Sequence, residues 1–441
     1  MSGNKIVFKD LTIADDADGG THDTFRADNS SSWITLDGVK MTHVSAPAGY
    51  WLAYFNGPDY VTLKDCTFEQ DLPVAFYYDA RQIFVTNCTF KGYNDCNTMF
   101  QHHDETKEVS IMDCWAGNLG GTRSQSDTSR GRFVHGNNGF KYHYFGDNTT
   151  EDLCPRSGGP DDNSGEQWMF EACATLLRET IVSATSNTAT FTSTPSSSLL
   201  GHVITIQSGK GQGQSRLISN ISSQTVTIER PWQVIPTNTS IATLGQYAHR
   251  AAVWHNTFDG YSRGIEGTSH IASMGIAPYG GGSEIVAQSN TIQQVRYGID
   301  WRSRHKGGTT DFQPFLFNVF EDNYITNCYY GLSCVANKDT IKGYVWSVPQ
   351  NLLNVIRKNT IIGTVDNYPA VGYPIRYGGA YQPSDTGEQI DMQIFDQNII
   401  SGFPSDVITY TRSDGYEQIL STEVTNQVYR GNTTNGASWN P

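Results

Sequence analysis

Two carboxylates stand out when the sequence is searched for chemistry. The segments VWHNTFDGYSRGIE (253–266), VAQSNTIQQVRYGID (286–300) and VFEDNYITNCYYGLS (319–333) align with one another. Each carries an Asn, and ten residues later, after a Gly and an apolar residue, a position that reads Glu266, Asp300 and Ser333. If the segments are successive turns of one coil, Glu266 and Asp300 stand on neighbouring strands, about 4.8 Å apart. Carboxyls that close approach the separation of about 5 Å used in retaining glycoside cleavage. Mutual repulsion raises the pKa of one, leaving a proton donor beside an ionised partner. The same oxygens could instead contribute to a Ca²⁺ site, which needs several such ligands; no other cofactor is expected. A solvated acidic stack is the plainer alternative.

Further candidates follow Asp300 directly, in Trp301-Arg302-Ser303-Arg304-His305-Lys306. Arg302, His305 and Lys306 suit a carboxylate or sulfate on a sugar, and one of them could take the proton beside a uronate carboxylate. Trp301 and Tyr297 offer flat surfaces for sugar rings. His270, four residues past Glu266, joins them if its loop folds back. A third group lies in the stretch 135–166, with His135, Lys141, His143, Asp162 and Glu166. There DNSGEQ precedes a repeat much as DTGEQ does at 385–389, which makes Gly-Glu-Gln a turn element as readily as a site. The spacing fits no zinc centre, and no serine nucleophile elbow or dinucleotide fingerprint is present.

The elements that must position these residues are repeats. Strand-like segments KIVFKDLTI, WITLDGVKM, YVTLKDCTF, IFVTNCTF and VSIMDCWA give way to the three above, then to NVIRKNTII and MQIFDQNII. Aligned on one position they mark Leu11, Val39, Cys66, Cys88, Cys114, Cys173, Asn256, Asn290, Asn323, Asn359, Asn398 and Gln427. The step before Cys173 is long enough for a further turn, and the step before Asn256 long enough for an insertion. Apolar and polar residues alternate with the period of a strand, and no unit can bury its own apolar face without neighbours. The expectation is an all-β chain: a right-handed parallel β-helix of irregular repeat length, 1–180 and 246–441, with a small inserted β module at 181–245. Stacked Asn side chains would hydrogen-bond from turn to turn. The Cys residues at ladder positions read as small interior residues rather than disulfides, while Cys96 and Cys154 could pair. GKGQGQS within the insertion lacks the remainder of a phosphate loop.

Composition narrows the function. A net charge of -14 argues against a nucleic-acid partner, and no apolar run is long enough to span a membrane. No secretory signal is visible, and removal of one from an extracellular protein is the expectation. The repeat resembles the right-handed parallel β-helix, pectin-lyase-like superfamily, which includes pectate lyases, polygalacturonases, alginate lyases and phage tailspikes. Asp161-Asp162 resembles the paired Asp of polygalacturonases, whose other motifs are missing. The resemblance implies a polysaccharide or oligosaccharide ligand and an extracellular setting. Three functions are compatible with it. The first is a glycoside hydrolase or transglycosylase using Glu266 and Asp300. The second is a β-eliminating lyase for an acidic polysaccharide. The third is a tailspike-like protein that binds glycan without cutting it. A homo-oligomer, with the groove completed by a neighbouring subunit, fits each of them.

Overall fold

The computed structural model describes residues 5–15, 23–28, 33–43, 51–70, 73–77, 80–92, 98–103, 106–118, 132–137, 139–151, 166–171, 173–260, 274–306, 312–339, 351–363, 373–379, 390–403, 407–412 and 424–439. Each turn of chain gives one strand to each of three parallel sheets, here called A, B and C, and the chain is a right-handed parallel β-helix. Sheet A begins with Lys5–Lys9, Trp33–Asp37 and Tyr60–Lys64, and sheet B with Thr12–Asp15 and Lys40–His43. Sheet C begins with Phe25–Ala27, Ala53–Asn56 and Val74–Tyr77. Alternation turns one row of each strand inward. In sheet A the row Leu36, Leu63, Val85, Ile111, Phe145 and Val253 is in register from turn to turn and fully buried. In sheet C, Phe100, Val134, Trp168, Ile276 and Ile299 do the same.

The bend between sheets A and B takes a single residue. Asp10, Asp65, Asn87, Asp113 and Asp147 have φ between 51° and 57°, a left-handed conformation that short polar side chains tolerate best. The residue that follows points inward and forms the ladder. From Asn148 onward it is an amide column. Asn290 Oδ1 accepts from Asn256 N at 3.0 Å and from Asn256 Nδ2 at 2.9 Å. Asn290 Nδ2 donates to Val253 O and to Asn323 Oδ1, both at 2.9 Å. Asn323, Asn359, Asn398 and Asn432 repeat the pattern. Before Asn148 the column is Leu11, Val39, Cys66, Cys88 and Cys114, each accepting at its carbonyl from the next turn. These three Cys, with Cys173, are free and buried; Cys96 and Cys154 lie outside the described residues.

Two ladder assignments from sequence need correction. The position expected of Cys173 belongs to Asn148, and that expected of Gln427 belongs to Asn432. The stretch around His135 and His143 is a full turn of the coil, with strands Arg132–Asn137, Lys141–Gly146 and Thr149–Glu151. Its polar composition hid the alternation, because His143 and Thr150 occupy positions that are apolar in the neighbouring turns. Cys173 instead leads into a separate seven-stranded antiparallel sheet running from Ala174–Thr180 to Ile241–Gln246. That sheet has its own core of Ile181, Phe191, Ile204, Ile206, Val226 and Leu244. It docks on sheet A through charge: Arg250 Nη2 donates to Glu229 Oε1 at 2.8 Å, and Arg230 Nη2 to Glu284 Oε1 at 3.1 Å. Among the described residues no helix is long and apolar enough to cross a membrane.

Candidate functional site

The outward face of sheet C departs from the other two. Outward positions on sheets A and B include well-exposed residues such as Phe84, Trp254 and Ile399. On sheet C they form in-register rows that hold charge under cover. One row runs Arg132, Glu166, Met274, Tyr297, Tyr330, Tyr373. The next runs Gln101, His135, Met169, Ala277, Asp300, Ser333, Arg376. A third holds Glu171, Tyr279 and Arg302, the last two joined by a parallel bridge. The Gly of Tyr297-Gly298-Ile299 lets these strands pack: a Cβ there would stand 2.5 Å from Gly331 O.

Two charge groups occupy this face. In the first, Arg132 Nε donates to Glu166 Oε2 at 2.6 Å, and Arg132 Nη1 lies 3.7 Å from Glu171 Oε1. Arg132 Nη1 also approaches His135 Nδ1 at 3.4 Å. Arginine has only hydrogens to offer, so the His135 proton sits on Nε2, which donates to Glu171 Oε1 at 3.0 Å. Glu166 is 3% exposed. Burial pushes its carboxyl up to about 7; Arg132 pulls it back, and the charge of Glu171 pushes it further. A carboxyl poised there can hold a proton at neutral pH and release it, as a general acid must.

In the second group Arg302 Nε is hydrogen-bonded to Asp300 Oδ2. The Arg302 guanidinium lies 5.0 Å from the centre of the Tyr279 ring and 5.8 Å from that of Tyr297. Arg376 donates from Nη1 to the Tyr297 hydroxyl at 3.0 Å and sits 5.1 Å from the Tyr330 ring centre. Tyr297 and Tyr330 stack at 5.1 Å. Burial works against the Arg302 charge, but Asp300 and the two tyrosines outweigh it, so its pKa is raised. Guanidinium groups layered on tyrosine faces beside carboxylates supply charge, hydrogen bonds and flat apolar area together.

The structure redistributes the residues expected from sequence. Asp300, Arg302, Tyr297 and Glu166 fall on this one face. Glu266, His270 and Asp162 lie outside the described residues. The expected stacking of Glu266 on Asp300 is overturned: Ile276 pairs with Ile299 and Tyr279 with Arg302, which puts Ala277 beside Asp300. The turn contains two Gly-Ile pairs, Gly264-Ile265 and Gly275-Ile276, and the strand uses the second. Trp301 is no sugar platform. It alternates inward, fully buried, 4.9 Å from Phe320. Tyr297 does face outward, but it is 2% exposed, covered within its own tyrosine stack. His305 and Lys306 end the strand Tyr297–Lys306, and their side chains lie outside the described residues. Arg132, Glu171, Tyr279, Tyr330 and Arg376 were missed. Tyr-Gly-Ile, Tyr-Gly-Leu and Tyr-Pro-Ile at 297, 330 and 373 carry the signal that reaches Arg376. Among the described residues no group of three metal-ligating side chains converges.

No family model and no curated protein matches the chain. Among solved structures it is similar to the tailspike gp61 of Pseudomonas phage phi297, at 12% identity and a TM-score of 0.20, covering 77% of this chain and 66% of that one. It is also similar to the Gp54 tailspike of Acinetobacter baumannii bacteriophage AP22, solved in complex with A. baumannii capsular saccharide. There the identity is 10% and the TM-score 0.16, over 80% of this chain and 74% of the other. The fold assignment rests on the strand register above.

Proposed function

We propose that the outward face of sheet C binds an extracellular polysaccharide and hydrolyses a glycosidic bond within it. Glu166 is the proton donor in this reading and Asp300, ion-paired with Arg302, the second carboxylate. The observation that carries it is the placement of Arg132, Glu166, Asp300, Arg302 and Arg376 on covered outward positions of one sheet. The coil needs no charge there, and burying it costs stability. Tyr279, half-buried beside Arg302, supplies an apolar face that sugar rings favour, backed by the covered rings of Tyr297 and Tyr330. Retention of glycan without cleavage is a second reading, favoured by the cover over the carboxylates: Asp300 is 1% exposed and Glu166 3%.

The test is a panel of neutral and acidic polysaccharides, reading reducing ends and the ultraviolet absorbance of unsaturated products, with and without EDTA. Reducing ends that vanish in Glu166→Gln while binding persists are expected. Binding without any released sugar would establish the second reading. Unsaturated product would move the chemistry to β-elimination, and EDTA sensitivity would implicate Ca²⁺. Activity unchanged in both Glu166→Gln and Asp300→Asn would remove these residues from the chemistry.

A further inference from the structure

The rows of sheet C continue beyond the charged groups towards the N-terminal turns, where their character changes. Tyr54 stands two strands before Gln101 on the middle row, and Tyr77 one strand before His103 on the outer one. Here Tyr54 is buried and the rings around it are only partly covered. Trp51 and Tyr54 lie 4.7 Å apart, Tyr54 and Tyr77 5.3 Å, and Trp51 and Tyr77 5.6 Å. The His103 ring stacks on Tyr77 at 4.2 Å with an interplanar angle of 12°. Trp51, Tyr77 and His103 are half-buried, and they pack on one another rather than into the coil's core. A polar edge borders them. Arg26 lies 4.9 Å from the Tyr54 ring centre and donates from Nε to Asp28 Oδ2 at 3.1 Å. Asn56 Nδ2 donates to Asp28 Oδ1 at 3.3 Å.

We infer that this aromatic patch is a second saccharide subsite on the same face, so that the ligand is an extended polymer lying along the coil axis. The inference rests on the reading of sheet C as a saccharide face. The half-covered rings of Trp51, Tyr77 and His103, bordered by exposed Arg26 and Asp28 and half-buried Asn56, match the two needs of a sugar: a flat apolar surface for its C–H face and fixed polar groups for its hydroxyls. Four strand spacings separate the Ala53–Asn56 strand from the Glu166–Glu171 strand, about 19 Å, and four more reach the strand of Arg376. One ligand touching both ends must therefore span about 38 Å, which only a polymer of many sugar units does. A short oligosaccharide would occupy one end and leave the other open.

The test soaks crystals of the full chain in concentrated glucose, galactose and galacturonic acid. Saturation-transfer NMR follows the same sugars in solution, with Trp51→Ala and, as a ring-retaining control, Trp51→Phe. The expected result is a sugar seated on Trp51 and Tyr77, weakened about tenfold by Trp51→Ala, roughly one ring contact's worth, and restored by Trp51→Phe at an unchanged melting temperature. A sugar found only beside Asp300 and Arg376 would overturn the second subsite and leave the reading of sheet C standing. No sugar at either end with any of the three would overturn both.

Discussion

His143 sits inside the coil, its ring 5.9 Å from that of Trp168 and nearly parallel to it, and accepts at Nδ1 from Trp168 Nε1 at 3.3 Å. Its proton is therefore on Nε2, which meets no partner among the described residues, and burial pushes its pKa down to about 3. In the unfolded chain a histidine titrates near about 6.5. The unfolded state therefore takes up a proton below that pH while the folded state does not. The stability that goes with a neutral His143 is present above pH 6.5 and lost progressively as the pH falls towards 3. At pH 5 the loss from this one group amounts to about 2 kcal/mol. Other buried groups titrate in the same window. His249, also pushed down to about 3 by burial, acts in the same direction. Glu166, pushed up to about 7, acts in the opposite one, its contribution being present below the ordinary carboxyl range and lost as the pH rises through 7. Comparing His143→Asn with the parent chain cancels both; His102, with its ring 5.3 Å away, is held well down mainly by its own burial, which the substitution leaves in place, and only secondarily by His143, and the Asn oxygen can still accept from Trp168. Urea unfolding midpoints of the two proteins at pH 8 and pH 5 provide the assay. The substitution should remove about 2 kcal/mol of acid destabilisation, whatever it costs at pH 8. Equal pH dependence in the two proteins would refute the reasoning.

The two columns of the ladder predict different costs. Asn290→Ala strands the buried backbone N–H of Asn256 and breaks the amide chain, and should cost about 3 kcal/mol or more in denaturant unfolding. Cys88→Ala should cost only about 1 kcal/mol, since a buried thiol behaves as a small apolar group. Arg302→Met leaves Asp300 buried without its ion-pair partner and should cost about 3–5 kcal/mol. Asp300→Asn in the same chain should recover much of that, read as a coupling energy in a double-mutant cycle.

The coil was legible because its rule is local. Strand alternation, a polar residue able to turn left-handed, then a small or amide side chain recur in every turn, and each is a property of a few consecutive residues. The turn at Arg132–Glu151 escaped because His143 and Thr150 fill positions that are apolar in the neighbouring turns, so that alternation of apolar and polar fails there while the backbone pattern holds. The site was legible only in part, because it depends on register across long loops. Asp300 and Arg302 were found from one strand, and Glu166 from its own segment. Which residue stands beside Asp300 depended on choosing between two Gly-Ile pairs eleven residues apart, at 264 and 275, and short-range pattern ranks them equally. Trp301 was misread for a simpler reason. A run of polar and aromatic residues suggests a loop, but along a strand every second one turns inward.

The change of ladder at Asn148 also divides the molecule mechanically. From Asn148 to Asn398 each amide donates both to the amide oxygen of the next turn and to a carbonyl of the turn before, so the turns are keyed together and cannot slip without breaking several bonds at once. From Leu11 to Cys114 the corresponding column is apolar or thiol; the thiols donate only weak bonds to the turn before, Cys66 Sγ to Leu36 O at 3.4 Å and Cys88 Sγ to Leu63 O at 3.5 Å, which resist sliding less. The coil is thus a spring of two stiffnesses. A pull along its axis should uncoil the turns before Asn148 first and meet a stop at the first amide, and the aromatic patch of Trp51 and Tyr77 lies on the softer side of that stop.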